Sequence, residues 1–312
     1  MSNVQLTVLI ATRDGEHVLP RVLDGYRKAI TSPIAWKIIV VDNGSTDATP
    51  QVLRYYERYL PLQSLSTPIA GKSRALNIGL EHIEGRLVVV SDDDAIPSPS
   101  FLGAWGAFLA KEHDFEIFGG RIQPLFDDPA PQWLLDSRLR FAMMFAERDL
   151  PEGSTDADEI YGPNWAVRTS VFERGHRFNE GLGPNDTDLY PMGEETEFCR
   201  RSVSRGSRCW FAREPHVRHI VKPELLTGAG WAKRAYRLGR GRAWQMWENG
   251  QIKPSSPATL KRRLSNYGAS GLRYLRTWSP RPLRRFDNII ERHVALGFRD
   301  ECRRREQILK HI

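Results

Sequence analysis

The sequence contains few cysteines and no long hydrophobic run. The three cysteines among the 312 residues form no C-x-x-C pair, so they predict neither a disulfide framework nor a cysteine metal site. The apolar runs are far shorter than the roughly 20 residues that a bilayer-spanning helix needs. The first residues also lack the charged and apolar blocks of a secretory signal. We therefore expect a cytoplasmic chain.

Internal repeats and low-complexity blocks are also missing, and the excess of positive charge is confined to the C-terminal part. Residues 251–312 contain 15 Lys and Arg against 5 Asp and Glu, whereas residues 1–250 contain 30 against 33. The basic part is patterned as helices edged with Leu, Tyr, Trp and Phe, which is typical of helices on an anionic membrane surface. Packing on the rest of the chain or on a second subunit is the alternative.

Apolar runs alternate with amphipathic segments through the first 120 residues. Runs such as "QLTVLIAT", "WKIIVVD" and "GRLVVVSD" are typical of buried strands, and the segments between them have apolar residues at helical spacing. Strands that alternate with helices predict an α/β protein with a mostly parallel central sheet flanked by helices.

Polar clusters follow three of the predicted strands, at Thr12, at Asp42 and at Asp92. Because the carboxyl ends of parallel strands meet at one edge of a sheet, we expect these side chains to surround a common crevice. The run of Asp92, Asp93 and Asp94 is either a solvated turn or a cation site, since adjacent carboxylates repel one another unless a cation neutralises them. Oxygen ligands suit Mg²⁺ or Mn²⁺ that bridges to substrate phosphates.

Four segments in order, "TVLIATRDG", "IIVVDNGSTDAT", "GKSRALNIGL" and "VVVSDDDAIPSPSFL", resemble the nucleotide-sugar half of inverting family-2 glycosyltransferases with the GT-A fold. They span residues 7–102. The resemblance implies a GT-A domain with a nucleotide-sugar half over residues 1–120 and an acceptor-binding and catalytic-base half over 121–250. Residues 251–312 then form a basic helical C-terminal extension.

The resemblance also implies a donor site and a metal site. The donor is a UDP-sugar by family habit, with GDP and dTDP left open. His219 is the downstream metal ligand, with His216 as the alternative, and Asp94 is the direct ligand of Mn²⁺ or Mg²⁺. Ala11 and Arg13 replace the family's usual residues of the first motif, so the details of contact with the nucleotide base are in question. The residues expected to hold the donor are Ala11, Thr12, Arg13, Asp42, Lys72, Arg74, Asp92 and Asp93.

The catalytic base implied by the resemblance is Glu195, the second acidic residue of "GEETEF". A carboxylate there would take the proton of the acceptor hydroxyl as the hydroxyl attacks the sugar. Glu replaces the commoner Asp of the family, and acidic residues that favour a helix N-terminus are the alternative interpretation. Asn164, Trp165 and Glu194 are expected to bind the acceptor.

These residues together predict a metal-dependent inverting glycosyltransferase of surface glycan or glycolipid synthesis, acting on a glycan or lipid-linked acceptor. A peripheral position at the inner face of the membrane would follow from contact through the basic helices. A sugar-phosphate nucleotidyltransferase would need a glycine-rich basic segment that "ATRDGEHVLP" lacks. A non-catalytic membrane- or nucleic-acid-binding protein would need neither Asp94 nor Glu195, and we expect no nucleic-acid partner.

Overall fold

A computed structural model describes residues 4–29, 34–110, 114–130, 141–252 and 281–310. Within these ranges the strands are β1 Leu6–Thr12, β2 Trp36–Asp42, β3 Leu62–Ser66, β4 Leu87–Asp92, β5 Ala95–Pro97, β6 Ile117–Leu125, β7 Gly153–Thr155, β8 Asn164–Arg168 and β9 Cys209–Ile220. The α-helices are α1 Leu19–Lys28, α2 Thr49–Tyr56, α3 Lys72–Leu80, α4 Phe101–Ala110, α5 Phe141–Phe145, α6 Thr169–Glu173, α7 Glu194–Val203, α8 Gly228–Glu248 and α9 Arg281–Lys310. Short 3-10 helices span Ala157–Glu159 and Pro223–Leu226.

The strands form one sheet in the order β3-β2-β1-β4-β8-β6-β9-β5, and β7 pairs with β9. The first four strands in this order are parallel, and so are β6 and β9. The pairings of β8 with β4 and β6, and of β9 with β5 and β7, are antiparallel. Together with the flanking helices, this sheet confirms the predicted α/β fold class.

The central strands are buried on both faces, which explains their continuous apolar sequence. Alternate residues of β1 point to opposite sides of the sheet, so Val8 and Leu9 belong to different core clusters. The cluster with Val8 includes α1 and α4, and the cluster with Leu9 includes α3 and α7. Helix α3 lies close to the sheet at Gly79, where an added Cβ would come within 2.3 Å of Leu9 Cδ1.

The strand register brings the predicted polar clusters to one edge of the sheet. Thr12 is paired with Asp42 on β2, and Ala11 is paired with Asp92 on β4. The last residues of β1, β2 and β4 therefore lie side by side. This register is the structural basis of the site described below.

Strand β3 differs from the sequence interpretation, which assigned no strand there. Its residues are only partly buried, and it lies at the edge of the sheet. Its sequence "LQSLS" lacks the apolar run of the central strands, because an edge strand with partly exposed faces does not need one. Strand β9 also has an irregularity, since its register against β6 shifts between Gly120 and Arg121.

The chain forms two compact units that interleave along the sequence. The first comprises Met1–Asp127, Phe145–Glu180 and Glu194–Ile220, and the second comprises Asp128–Met144, Gly181–Gly193 and Val221–Ile312. In this division α8 shares a unit with α9, and the predicted functional boundaries at residues 120 and 250 stay a prediction. Residues 253–280 of the predicted C-terminal extension lie outside the described residues.

The second unit contains a helix pair in which the backbones come into contact. A Cβ added at Gly239 of α8 would lie 2.1 Å from the carbonyl oxygen of Val294, and one at Gly297 of α9 would lie 2.0 Å from that of Tyr236. A buried carboxylate, Glu301, accepts hydrogen bonds from arginines of both helices. Close packing and this ion network hold α8 and α9 together.

Candidate active site

Two loops at the carboxyl edge of the sheet are fastened to each other by hydrogen bonds between side chains and backbone. Asp14, which follows β1, has a φ of 51° and accepts the backbone N–H of Thr46 at 2.8 Å. In turn Asp47 accepts the N–H of Glu16 at 3.0 Å, and Glu16 accepts the N–H of Ala48 at 2.9 Å. These reciprocal contacts fix the loops that contain the predicted donor residues after β1 and β2.

Several predicted donor residues lie together at this edge. The buried Asp42 accepts the backbone N–H of Ser45 at 2.9 Å. The hydroxyl of Thr12 donates to Asp93 Oδ2 at 2.6 Å, which links the end of β1 to the aspartate run after β4. Arg13 lies next to Asp14, with 3.7 Å between the nearest guanidinium nitrogen and carboxylate oxygen. Ala11, Thr12, Asp42 and Asp93 are thus brought to one place by the register of three strands.

Asp92, Asp94 and His219 form a group that could hold a metal ion. One ligand atom from each residue lies within 4.8 Å of the other two. The group is assembled because β5 pairs with β9, which places Ala95 opposite His219. The backbone N–H of Ile220 also donates to the carbonyl of Asp94 at 2.8 Å. Two residues from the strand end after β4 and one from β9, far apart in sequence, therefore converge.

The chemistry of this group fits a divalent cation. His219 Nδ1 lies 3.0 Å from the carbonyl oxygen of Phe145, which can only accept a hydrogen bond, so Nδ1 carries the proton. The other nitrogen, Nε2, lies 3.2 Å from Asp94 Oδ1 and can act as a ligand. Burial alone would lower the pKa of His219, but Asp94 and the Phe145 carbonyl outweigh burial and raise it. In this environment a cation or a proton compensates the carboxylate charge.

Lys72 connects the aspartate run to the start of α7. Its Nζ lies 2.6 Å from Asp92 Oδ1 and 3.0 Å from Glu194 Oε1. Burial favours the neutral amine, yet the surrounding carboxylates of Asp92, Glu194 and Glu195 raise the pKa of Lys72 well above its usual value. Lys72 is therefore a charged group between two carboxylates.

Glu195 has a raised pKa. It lies in the first turn of α7 and is partly buried. Burial and the neighbouring carboxylate of Glu194 raise the pKa of Glu195 to about 7, against the opposing effect of Lys72. A carboxylate with a pKa near the working pH is suited to accept a proton during a reaction.

The three predicted acceptor residues have different surroundings. Asn164 is fully buried and donates to the carbonyls of Arg121 and Pro215, both at 3.0 Å. Trp165 is 1% exposed and packs edge-on against the rings of Phe178 and Phe198. These contacts hold both side chains in place, and acceptor binding by the two residues stays a prediction. Glu194 is also buried, at the Lys72 contact.

Arg74, predicted to contact the donor, forms an ion pair with Glu180 at 3.0 Å. Gly162, in contrast, lies at the site although the sequence interpretation gave it no role. A Cβ at Gly162 would lie 3.3 Å from Asp92 Oδ2 and 3.6 Å from Lys72 Nζ. The sequence signal was its place in "YGPNW", next to Asn164, but nothing local shows that a glycine there faces carboxylates from β4.

The sequence profile of glycosyl transferase family 2 matches residues 7–175, which is more than half of the chain. The chain belongs to this family. A relative of this family-2 member is the poly(ribitol-phosphate) β-N-acetylglucosaminyltransferase TarS of Staphylococcus aureus, which is 26% identical over 237 residues. The match covers 71% of this chain and 38% of TarS, so the chain spans well under half the length of that relative.

Solved structures share the fold. The crystal structure of residues 1–349 of TarS in complex with UDP-GlcNAc has a TM-score of 0.55 at 15% identity and covers 97% of this chain and 92% of that one. The mannosyltransferase PcManGT from Pyrobaculum calidifontis, in complex with GDP-Man and Mn²⁺, has a TM-score of 0.62 at 18% identity, with coverages of 96% and 88%. At these identities the likeness shows the GT-A fold alone.

Within the described residues, no helix has the length and apolar content to cross a membrane.

Proposed function

We propose that this family-2 member is a metal-dependent, inverting glycosyltransferase that moves a sugar from a nucleotide-diphosphate donor to an acceptor hydroxyl. The observation that carries the proposal is the meeting of two kinds of group in one compact unit. Asp92, Asp94 and His219 form a cation-binding set, and Lys72 joins Asp92 to the helix start that contains Glu195.

In the proposed reaction, the Glu195 carboxylate takes the proton of the acceptor hydroxyl. The hydroxyl oxygen then forms a bond to the anomeric carbon as the bond from that carbon to the diphosphate oxygen breaks. Attack from the side opposite the leaving group inverts the anomeric configuration. The proton ends on Glu195, and the electron pair leaves with the nucleoside diphosphate. A bound Mn²⁺ or Mg²⁺ would stabilise the negative charge of that leaving group.

The donor contacts are proposed at the edge where β1, β2 and β4 end. We propose that the carboxylate of Asp42 and the segment from Ala11 to Arg13 contact the nucleoside, since the pairing of β1 with β2 sets them side by side and the two loops that follow are hydrogen-bonded to each other. TarS in complex with UDP-GlcNAc and PcManGT in complex with GDP-Man and Mn²⁺ support a nucleotide-sugar donor and a cation. We propose UDP as the nucleotide.

The acceptor is proposed to be a glycan or a lipid-linked sugar. Peripheral membrane contact through the basic C-terminal helices is part of this proposal, and α9 supplies exposed arginines for it, among them Arg292 and Arg303. Anionic lipid headgroups attract such side chains, each contributing about 1 kcal/mol near the surface. The remaining predicted basic helix, within residues 253–280, lies outside the described residues.

The proposal is tested with a thermal-shift panel of UDP, GDP, dTDP and their sugars, with and without Mn²⁺. A ligand at a hundred times its Kd stabilises a protein by about 2.7 kcal/mol, which is a measurable rise of Tm. We expect UDP compounds to raise Tm only when Mn²⁺ is present. The proposal would be contradicted if no nucleotide changed Tm. It would also be contradicted if a nucleotide raised Tm equally in the presence of a metal chelator. Release of nucleoside diphosphate from the best donor, with water as acceptor, then gives a rate.

A further inference from the structure

Lys72 has contacts with two carboxylates that have different tasks in the proposed reaction. Asp92 belongs to the cation-binding set, and Glu194 directly precedes the proposed base on α7. The Lys72 side chain is only 16% exposed, and its Nζ is within hydrogen-bond distance of both carboxylates. Two of the three N–H donors of the ammonium group are thereby engaged inside the protein.

Gly162 encloses this contact from a third side. Because a Cβ there would lie 3.3 Å from Asp92 Oδ2 and 3.6 Å from Lys72 Nζ, the backbone before β8 lies directly against the ion pair. The position of Lys72 is therefore defined by α3, which carries it, by β4 and α7, which supply the carboxylates, and by the backbone at Gly162.

The charge balance of the cluster also depends on Lys72. Asp92, Glu194 and Glu195 all act on the ammonium group, and the same three carboxylates would repel one another without it. A mobile side chain that reaches out to a ligand would not need carboxylate partners at two places inside the protein. Lysine used as a fixed internal charge does need them, since a buried charge is costly unless it is paired.

We propose that Lys72 is a positioning residue that links Asp92, a carboxylate of the cation-binding set, to helix α7 through Glu194, and that it is not a donor-binding residue. This inference rests on the proposed function. It changes the role that the sequence resemblance implied for Lys72. In this role Lys72 sets the orientation of α7 relative to the strand end of β4, and thereby the place where Glu195 meets the acceptor hydroxyl.

A donor-binding role makes a different prediction. The third N–H of Lys72 would then contact the diphosphate, and loss of the ammonium group would chiefly weaken the binding of UDP. Loss of a positioning residue would chiefly lower kcat, because the cation-binding set and the loops after β1 and β2 remain. The two roles are therefore separated by comparing nucleotide affinity with the rate at saturating donor.

The test compares Lys72→Met, which removes the charge and keeps an unbranched side chain, with Lys72→Arg, which keeps the charge. Isothermal titration measures the Kd of Mn²⁺ alone and of UDP with Mn²⁺, and UDP release from UDP-GlcNAc with water as acceptor measures kcat. For Lys72→Met we expect kcat to fall on the order of 100-fold, the effect of losing one preorganised electrostatic contact. We expect the Kd of UDP to stay within about threefold and Mn²⁺ to bind as tightly or more tightly, since a repelling charge is gone.

Two further readouts distinguish positioning from a general loss of stability. In Lys72→Met the acid limb of the pH profile should move upward from about 7, because Lys72 on α3 opposes the effects of Glu194 on α7 and Asp92 on β4 on the pKa of Glu195. Lys72→Arg should recover part of kcat. Lys37→Met is the matched control, since Lys37 is also a largely buried lysine paired with a carboxylate, Glu84 at 2.6 Å, and lies outside the site. Its kcat should equal that of the wild type.

If Lys72→Met does not fold, Gly162→Ala tests the same contact without a change of charge, and it should lower kcat at unchanged UDP affinity. The inference is overturned by a folded Lys72→Met with wild-type kcat, or by a UDP Kd that weakens more than about tenfold while kcat is kept. Failure of the proposed function would look different, because the wild-type protein itself would then bind no nucleotide with Mn²⁺.

Discussion

Each of the two compact units buries carboxylate charge, but the charge is balanced in opposite ways. In the second unit, Glu301 is fully buried and is surrounded by Arg240, Arg304 and Arg305, with the closest nitrogen 2.6 Å away. At the candidate site of the first unit, the carboxylates of Asp92, Glu194 and Glu195 share the ammonium group of Lys72. Within the described residues, the positive charge around Glu301 exceeds the negative charge, whereas the carboxylates around Lys72 outnumber the cations that contact them.

The pKa values follow from this difference. Burial would raise the pKa of Glu301, but its hydrogen bonds to Arg304 and Arg240 outweigh burial and lower the pKa. Burial and Glu194 raise the pKa of Glu195 to about 7, and Lys72 only partly offsets them. A carboxylate that is fully compensated stabilises a helix pair, whereas one that is left partly uncompensated can exchange a proton and attract a cation.

The largest expected effect comes from Glu195→Gln, which keeps the shape of the side chain and removes the proton acceptor. Because general-base catalysis contributes about 10²- to 10⁴-fold, nucleoside diphosphate release should slow by that factor. Binding of UDP with Mn²⁺ should change less than about twofold, since Glu195 is not among the proposed donor contacts. Steady-state kinetics and isothermal titration measure the two quantities.

The control for Glu195→Gln is Glu197→Gln in the same helix. Glu197 is compensated by Arg201, at 2.7 Å, so it resembles Glu301 more than it resembles Glu195. Glu197→Gln should leave the release rate within about twofold, because Glu197 is paired with Arg201 and is not one of the proposed catalytic or donor residues. An equal loss of rate in both variants would contradict the assignment of Glu195 as the base and the contrast between the two kinds of carboxylate.

The next prediction concerns the compensated carboxylate. Glu301→Gln leaves the largely buried Arg240 and Arg305 and the exposed Arg304 without their shared partner, so it should destabilise the protein by about 3–5 kcal/mol in denaturant unfolding. Glu248→Gln removes a half-exposed partner of Arg305 and should cost at most about 1 kcal/mol. Equal effects of the two variants would show that the Glu301 network does not carry the stability of α8 and α9.

The same contrast explains what the sequence could and could not predict. The apolar runs of β1, β2 and β4 predict buried parallel strands, and the carboxyl ends of such strands share an edge, so it was predictable that the polar clusters after them lie together. The partners of each carboxylate were not predictable in this way. Glu194 and Asp92 are 102 residues apart, and only the folded chain shows that Lys72 lies between them.

The burial of Asn164 and Trp165 was not predictable from the resemblance, and their proposed acceptor role stays a prediction. Both lie in the segment that resembles the family's, yet alternate residues of a strand point to opposite faces, and in β8 both side chains are buried. The edge strand β3 and the role of Gly162 were missed for a related reason. Their local sequences have no strong pattern, and their positions are set by tertiary contacts.

A third prediction uses pH to compare the two carboxylates. The proposed base acts as a carboxylate, so kcat/KM should fall about tenfold per pH unit below its pKa of about 7 and level off above it. Glu301 has a lowered pKa, so its titration should not affect kcat/KM in this pH range. The measurement is the pH dependence of nucleoside diphosphate release at fixed Mn²⁺. A midpoint near 4.5, the ordinary value for Glu, would contradict the raised pKa of Glu195 and with it the contrast between the two carboxylates.

The smallest expected effect is a gain of stability at the site. Since the folded-state pKa of Glu195 is raised above its ordinary value of 4.5, protonation favours the folded state, and this stability is lost as pH rises through about 7. Glutamine stays neutral, so the Tm of Glu195→Gln should equal that of the wild type below about pH 4.5 and exceed it above pH 7. The difference should be about 2–4 °C for each 1 kcal/mol of destabilisation that the buried charge causes. Thermal unfolding with a chelator present checks this, because a bound cation would compensate the same charge. Glu301→Gln should lower Tm at every pH. A rise of Tm in Glu195→Gln and a fall in Glu301→Gln would show that the first carboxylate costs stability, whereas the second contributes to it.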